Sequence, residues 1–178
     1  ALLNTVGVDR VILCGLSMGG YVAFEIVRRA RERVSALILM NTRAEADSPD
    51  VRKARDSAAA AREGGAELVA ESMLPRLLAR SAPANNPALV ERLRRVIEAT
   101  PVAGILGALG AMRDRPDSVA LLPTLAGIPT LVVAGDDDQI LRPDSSQSMA
   151  DAIPGARLAV LPGAGHLTPL VKMYTLGS

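Results

Sequence analysis

The chain is short of the residues that several protein classes depend on. It has one cysteine, so no intramolecular disulfide framework can form, and one histidine, which excludes most histidine-based metal sites. Tryptophan is absent, and the three aromatics, Tyr21, Phe24 and Tyr174, are too few for a base-stacking platform. Neither charge dominates: 20 Lys+Arg stand against 19 Asp+Glu, a formal net charge of +1. This balance gives no ground for nucleic acid or an acidic membrane surface as a partner. No run of eighteen apolar residues occurs, so no membrane-spanning helix is predicted. No charged region followed by an apolar one opens the chain, so no signal peptide is readable and a cytoplasmic location is the default expectation. What is present is 178 residues, 49% hydrophobic and 22% charged, the profile of one globular domain with a sizeable core.

The apolar pattern alternates between strand and helix. Residues 1–7 resemble the end of a helix that starts elsewhere. Residues 10–15 form a short β-branched run closed by glycine, expected to be a strand buried on both faces of a parallel sheet. Apolar residues at three- and four-residue spacing predict a helix over 18–31, and 34–40 predicts a second buried strand. No strand is readable between 41 and 125. Four helical patterns lie there, at 49–63, 66–80, 87–100 and 102–113, separated by Gly64-Gly65 and the breaker Ser81-Ala82-Pro83. The first, rich in alanine and charge, is expected to be solvated and loosely held. Residues 129–134 predict a strand, 144–153 a helix and 157–161 a last strand. The layout is an α/β fold of about four parallel strands with flanking helices, with a partial core at 1–41 and 122–178. An all-helical insertion at 42–121, far longer than an ordinary loop, is expected to cover a site.

The first strand runs into Gly15-Leu16-Ser17-Met18-Gly19-Gly20 and then directly into a helix. This is G-x-S-x-G at a sharp strand-to-helix turn, a setting that lifts the Ser17 hydroxyl above the sheet. Glycines at 15 and 19 are expected where side chains would meet neighbouring backbone. The Met18 backbone N–H, at a helix N-terminus, is placed to donate to a developing oxyanion. The rival reading is a phosphate-binding βα turn, but a dinucleotide site wants G-x-G-x-x-G, and here Tyr21 follows Gly20 and Asn41 ends the second strand where a ribose-binding acid would stand. A serine hydroxyl needs a base. The only histidine, His166, follows the last strand in Pro162-Gly163-Ala164-Gly165-His166, at a carboxyl end of the kind where α/β sites form. An orienting carboxylate is available from Asp136-Asp137-Asp138 after the third strand, although three adjacent acids also make a plain solvated turn. Cys14 is expected to be an inert core residue, Met18, Met73 and Met112 to be core packing in preference to the lining of an apolar pocket, and the arginines and lysines to be mostly helix-face charges.

The order serine, aspartate, histidine, each at the end of a different strand, is that of the α/β-hydrolases. The stretches 14–25, 129–140 and 162–169 resemble the alpha/beta hydrolase superfamily, with a closer similarity to small bacterial carboxylesterases and 3-oxoadipate enol-lactonase-like enzymes. Arg115-Pro116-Asp117-Ser118 before Leu121-Leu122-Pro123 resembles the end of that group's helical cap. The resemblance implies Ser17 as nucleophile, His166 as base and, from the family's G-x-x-D, Asp138 as the acid with Asp137 as runner-up. It implies Met18 N–H as one oxyanion donor, no metal or organic cofactor, and a small-molecule ester or lactone substrate. It also implies that four upstream strands, and the loop giving the second oxyanion donor, lie outside this sequence. The edge formed by Val11-Ile12-Leu13-Cys14 would then be bare and available for self-association. Three readings follow: a serine hydrolase cleaving a carboxylic ester or lactone through an acyl-enzyme; an inactive fragment, or a subunit that needs a partner to complete the sheet and oxyanion hole; and the same trio used for acyl transfer, C–C hydrolysis or cofactor-free perhydrolysis.

Overall fold

A computed structural model of the chain describes residues 2–56 and 64–172. A one-turn helix α1 (Leu2–Thr5) leads to strand β1 (Val11–Leu16), helix α2 (Met18–Ala30) and strand β2 (Val34–Met40). Among the described residues five helices follow: α3 (Pro49–Asp56), α4 (Gly65–Leu77), α5 (Ala82–Asn85), α6 (Pro87–Glu98) and α7 (Val102–Asp114). A 3₁₀ segment, Val119–Leu125, returns the chain to strand β3 (Thr130–Gly135), helix α8 (Pro143–Ala152), strand β4 (Arg157–Leu161) and the short α9 (Thr168–Lys172). Residues 57–63 of the first predicted insertion helix lie outside the described residues. The predicted breaker at Ser81-Ala82-Pro83 instead opens the short helix α5, because Pro83 falls in the first turn, where its missing N–H costs nothing.

The four strands are parallel in the order β1-β2-β3-β4. Side chains alternate between the two faces of such a sheet, and here the faces differ. On one, Leu37, Leu39 and Val132 are sealed by Phe24 and Val27 of α2, Met149 of α8 and Ile153 just past it, and Leu122 and Leu125 of the 3₁₀ segment. The α2 residues that meet it, Gly20, Ala23, Phe24 and Val27, recur at the three- and four-residue spacing of a helix stripe. On the other face Ile12 is 66% exposed, Cys14 is exposed, and Ala36, Ile38 and Leu131 are only half-buried. This corrects two sequence expectations. β1 is not buried on both faces, and Cys14 is not a core residue, because a continuous apolar run records a strand's capacity for burial and not the presence of a covering layer. Among the described residues β1 is also one of the sheet's two edges, β4 being the other.

The helical segment is tied to the loop after β2 by a buried carboxylate. Asp47 pairs with Arg43, with Arg55 of α3 and with Arg115 just past α7. Arg115 also donates to the carbonyls of Met112 and Glu45 at 2.7 and 2.8 Å and lies over the Tyr21 ring, 4.0 Å from its centroid. Arg115 is thus a buried tether and not a helix-face charge, and α3 is anchored at Arg55. Burial pushes the Asp47 carboxyl up, but hydrogen bonds and charge from Arg55 and Arg115 outweigh it and hold the pKa at about 2, below the ordinary 3.8. A depressed folded-state value stabilises the protein above the unfolded value and loses that contribution as pH falls toward 2. Asp47→Asn is therefore expected to lower the unfolding free energy at pH 7 by at least about 2 kcal/mol and to flatten its decline between about pH 4 and pH 2, measured by urea unfolding at a series of pH values.

Candidate active site

Because the strands are parallel, their carboxyl ends lie on one side of the molecule, and each of the four delivers one residue there. Ser17 follows β1, Asn41 follows β2, Asp138 lies three residues past β3 and His166 five past β4. Ser17 has the positive φ of a strained turn (φ 51°, ψ −116°). Three bonds hold it there. Its N–H donates to the Met40 carbonyl at 2.9 Å, and its own carbonyl accepts from Gly20 N–H at 2.9 Å and from the Thr42 hydroxyl at 2.8 Å. The Ser17 Oγ stands 2.8 Å from His166 Nε2, and His166 Nδ1 stands 2.8 Å from Asp138 Oδ2. His166 is only 2% exposed. An ionised carboxylate only accepts, so Nδ1 carries the proton and Nε2 is left to accept from the serine hydroxyl.

The three adjacent acids have separate partners. Asp138 faces the imidazole. Asp137 Oδ2 accepts from the Arg80 N–H at 2.6 Å and its Oδ1 pairs with the Arg80 guanidinium, while Asp136 Oδ1 accepts from Gly163 N–H at 2.7 Å. Asp138 takes four hydrogen bonds: Ile140 and Leu141 N–H on Oδ1 at 2.8 and 3.0 Å, Asn41 Nδ2 and His166 Nδ1 on Oδ2 at 2.9 and 2.8 Å. Burial pushes its carboxyl up, but the bonds from His166, Leu141 and Asn41 outweigh this and hold it below the usual carboxylate range. Asn41 and Thr168, which donates its hydroxyl to Asn41 Oδ1 at 2.7 Å, are site residues that sequence reasoning missed. Asn41 had one signal, a polar residue closing a buried strand. Thr168 had none beyond lying two residues past the histidine.

The glycines of the turn need correction. A side chain at Gly15 would run into the Gly19 and Gly20 backbone, as expected, but one at Gly19 meets nothing within 4 Å. The crowded partner is Gly20, where a Cβ would overlap the Thr42 side chain. Met18 opens α2, its backbone N–H at the helix N-terminus, and its side chain is 40% exposed. With Tyr21 and Val22 it lines one wall of a cleft of about 620 Å³, whose other wall includes Ala108, Ala111 and Met112 of α7. Met18 and Met112 therefore take the pocket-lining alternative and not the preferred core packing. The helical segment also docks on the loops that carry Asp138 and His166: Leu167 N–H donates to the Leu77 carbonyl at 3.0 Å, and Gln139 donates to the Pro75 and Leu78 carbonyls. Among the described residues no group of three or more His, Cys, Asp or Glu is placed to hold a metal ion. No single helix among them is long and apolar enough to cross a membrane.

The sequence model of the alpha/beta hydrolase fold matches residues 1–172. The chain belongs to that family. Among solved structures, a thermophilic esterase from Thermogutta terrifontis is similar at 41% identity with a TM-score of 0.92, over 98% of this chain and 65% of its own. The enol-lactonase of Burkholderia xenovorans is similar at 29% identity with a TM-score of 0.87, again over 98% and 65%. The 3-oxoadipate enol-lactonase 2 of Acinetobacter baylyi is 26% identical over 94% of this chain and 61% of its own length. The chain thus spans somewhat less than two thirds of these relatives, and what it holds of the hydrolase fold is four parallel strands with flanking helices.

If Gly20, and not Gly19, limits the turn, the two alanine substitutions separate. Gly20→Ala is expected to destabilise by about 1–3 kcal/mol through the displaced Thr42. Gly19→Ala, with open space and better helix propensity, is expected to be neutral or stabilising by up to about 1 kcal/mol. Thermal unfolding of both variants checks the difference.

Proposed function

We propose that this chain carries the reaction centre of a serine hydrolase acting on a carboxylic ester or lactone. The observation that carries the reading is the unbroken line of hydrogen bonds from Ser17 Oγ through His166 to Asp138, at 2.8 Å each. Ser17 Oγ attacks the substrate carbonyl as its proton passes to His166 Nε2. Asp138, ionised and buried, holds the imidazole tautomer and balances the imidazolium charge. The Met18 N–H at the head of α2 donates to the oxyanion. His166 returns the proton to the leaving oxygen, which departs and leaves an acyl-Ser17. Water, deprotonated by His166, then releases the acid and restores the serine. Residues 42–121 act as a cap, and the cleft between α2 and α7 accepts part of the substrate. The names of the relatives, an esterase and two enol-lactonases, support an ester or lactone as the bond broken.

A fluorophosphonate probe tests this directly. Peptide mass spectrometry is expected to find the adduct on Ser17, absent after Ser17→Ala. Asp138→Asn is expected to slow labelling about 10³–10⁴-fold, since it presents the wrong hydrogen-bonding face to Nδ1. Asp137→Asn, which weakens the bonds to Arg80 but leaves the His166–Asp138 contact in place, should slow labelling by no more than about tenfold. No label on Ser17, or equal slowing by both aspartate variants, overturns the assignment.

A second reading, favoured by β1, adds a requirement. Its outer edge pairs with no strand among the described residues, and Ile12 and Cys14 stand exposed beside it. On this reading a second copy adds across the edge, and the site reaches full reactivity only in the assembly. Sedimentation is expected to show a dimer whose labelling rate rises with protein concentration, both lost in Ile12→Lys, where a charge blocks edge pairing. A monomer with a concentration-independent labelling rate removes this reading and leaves the first intact.

A further inference from the structure

We infer that Asn41 is a positioning residue of this site: its carboxamide, oriented through Thr168, fixes the Asp138 carboxylate against His166. The inference rests on the function proposed above, but its evidence is separate. Asn41 is 1% exposed and holds φ at 44°, in the left-handed region that favours glycine and tolerates asparagine. A buried polar residue on a strained backbone persists where its surroundings hold it at both ends. The backbone is held by Asn41 N–H donating to the Val133 carbonyl at 2.9 Å, which continues the β2–β3 ladder one step past the strand. The side chain is held by Asp138 on one side and Thr168 on the other, and both partners are buried.

The polarity of this chain of bonds is fixed. The Asp138 carboxylate only accepts, so the amide must present Nδ2 to it. Oδ1 is then turned to Thr168, whose hydroxyl donates. Thr168 lies two residues past His166, so the contacts close a ring. It runs from His166 to Asp138 Oδ2, to the Asn41 carboxamide, to Thr168 and back along the main chain to His166. Oδ2 cannot swing away from Nδ1 without also giving up Asn41, and the amide cannot turn over without setting its oxygen against a carboxylate. β2 thereby contributes to the geometry of a proton relay whose members come from the other three strands.

Substitutions that alter one atom at a time separate positioning from mere support. Asn41→Asp keeps the shape and the backbone preference but sets two carboxyls about 3 Å apart, which cannot both ionise at ordinary pH. The retained proton then donates to Asp138 in place of the amide. The ionisable groups facing the introduced carboxyl are Asp138 and His166. Asp136 is turned to Gly163 N–H, and Asp137 to Arg80. Among the described residues no arginine or lysine pairs with Asp138.

Ser17 labelling by the fluorophosphonate probe, taken as a ratio to wild type at the same pH, is expected to stay within about threefold for Asn41→Asp at the acid end. It should then fall about 10- to 100-fold as pH rises and the shared proton leaves. Thr168→Val should lower the ratio by about tenfold at every pH with the probe's affinity unchanged, and Thr168→Ser should restore it. Because the chain has a single histidine, the Nδ1 proton gives one assignable low-field resonance. It is expected to be sharp in wild type, weakened in Thr168→Val, and pH-dependent in Asn41→Asp. Wild-type labelling rates in both variants at every pH, with an unchanged resonance, overturn the role of Asn41. Failure of the wild type to label at all counts against the proposed function, and the resonance still decides the question of Asn41.

Discussion

The arrangement depends on one buried carboxylate. Asp138 accepts four hydrogen bonds, two from its own turn, one from the end of β2 and one from the loop after β4. An ionised group taken out of water is costly unless its lone pairs are filled, and here all four bonds go to donors fixed by the sheet. The same bonds orient His166, and through it define where the Ser17 hydroxyl must stand. A carboxylate less completely bonded would favour its protonated form and lose its grip on the imidazole tautomer.

The sheet supplies the frame, and the helical segment is bolted to it close to this centre. Its two fastenings differ in chemistry. Near Arg80 the attachments are mainly backbone and amide bonds to the loops after β3 and β4, joined by the single Arg80–Asp137 pair, with Gly165 leaving room for the Leu78–Ala79 backbone to come within contact distance. Near Asp47 the attachment is a charge cluster of three arginines on one carboxylate, which joins the loop after β2 to α3 and to the end of α7. Movement of the helices would therefore disturb the residues around Asp138 at the first fastening and the cleft beside Met18 at the second.

The two faces of the sheet are unequal in a way that matters for association. One is sealed by α2, α8 and the 3₁₀ segment; the other keeps Ile12 and Cys14 in solvent at the edge strand. Exposed β-branched residues on an unpaired edge form a surface on which another strand can pair. It lies on the strand that leads directly into Ser17, so anything that adds there also bears on the turn that holds the serine.

The sequence by itself determined the order of elements and pointed to most of the residues of the proposed site. Alternating apolar runs mark the strands and helices because burial demands a period, and a single histidine after the last strand leaves no competitor for the proposed base. G-x-S-x-G between a strand and a helix marks Ser17 because few other turns need a serine there. Only the tertiary structure assigned separate partners to Asp136, Asp137 and Asp138, since three neighbours on one turn differ in direction and not in residue type. Only it found that Gly20 is crowded and Gly19 is not, because the obstacle, Thr42, comes from the loop after β2. The same reason hid Asn41 and Thr168, whose contacts join residues 127 positions apart. Whether an apolar strand is covered was also undecidable from its own residues: hydrophobicity states what a side chain gains by burial, and the surrounding fold decides whether it is buried.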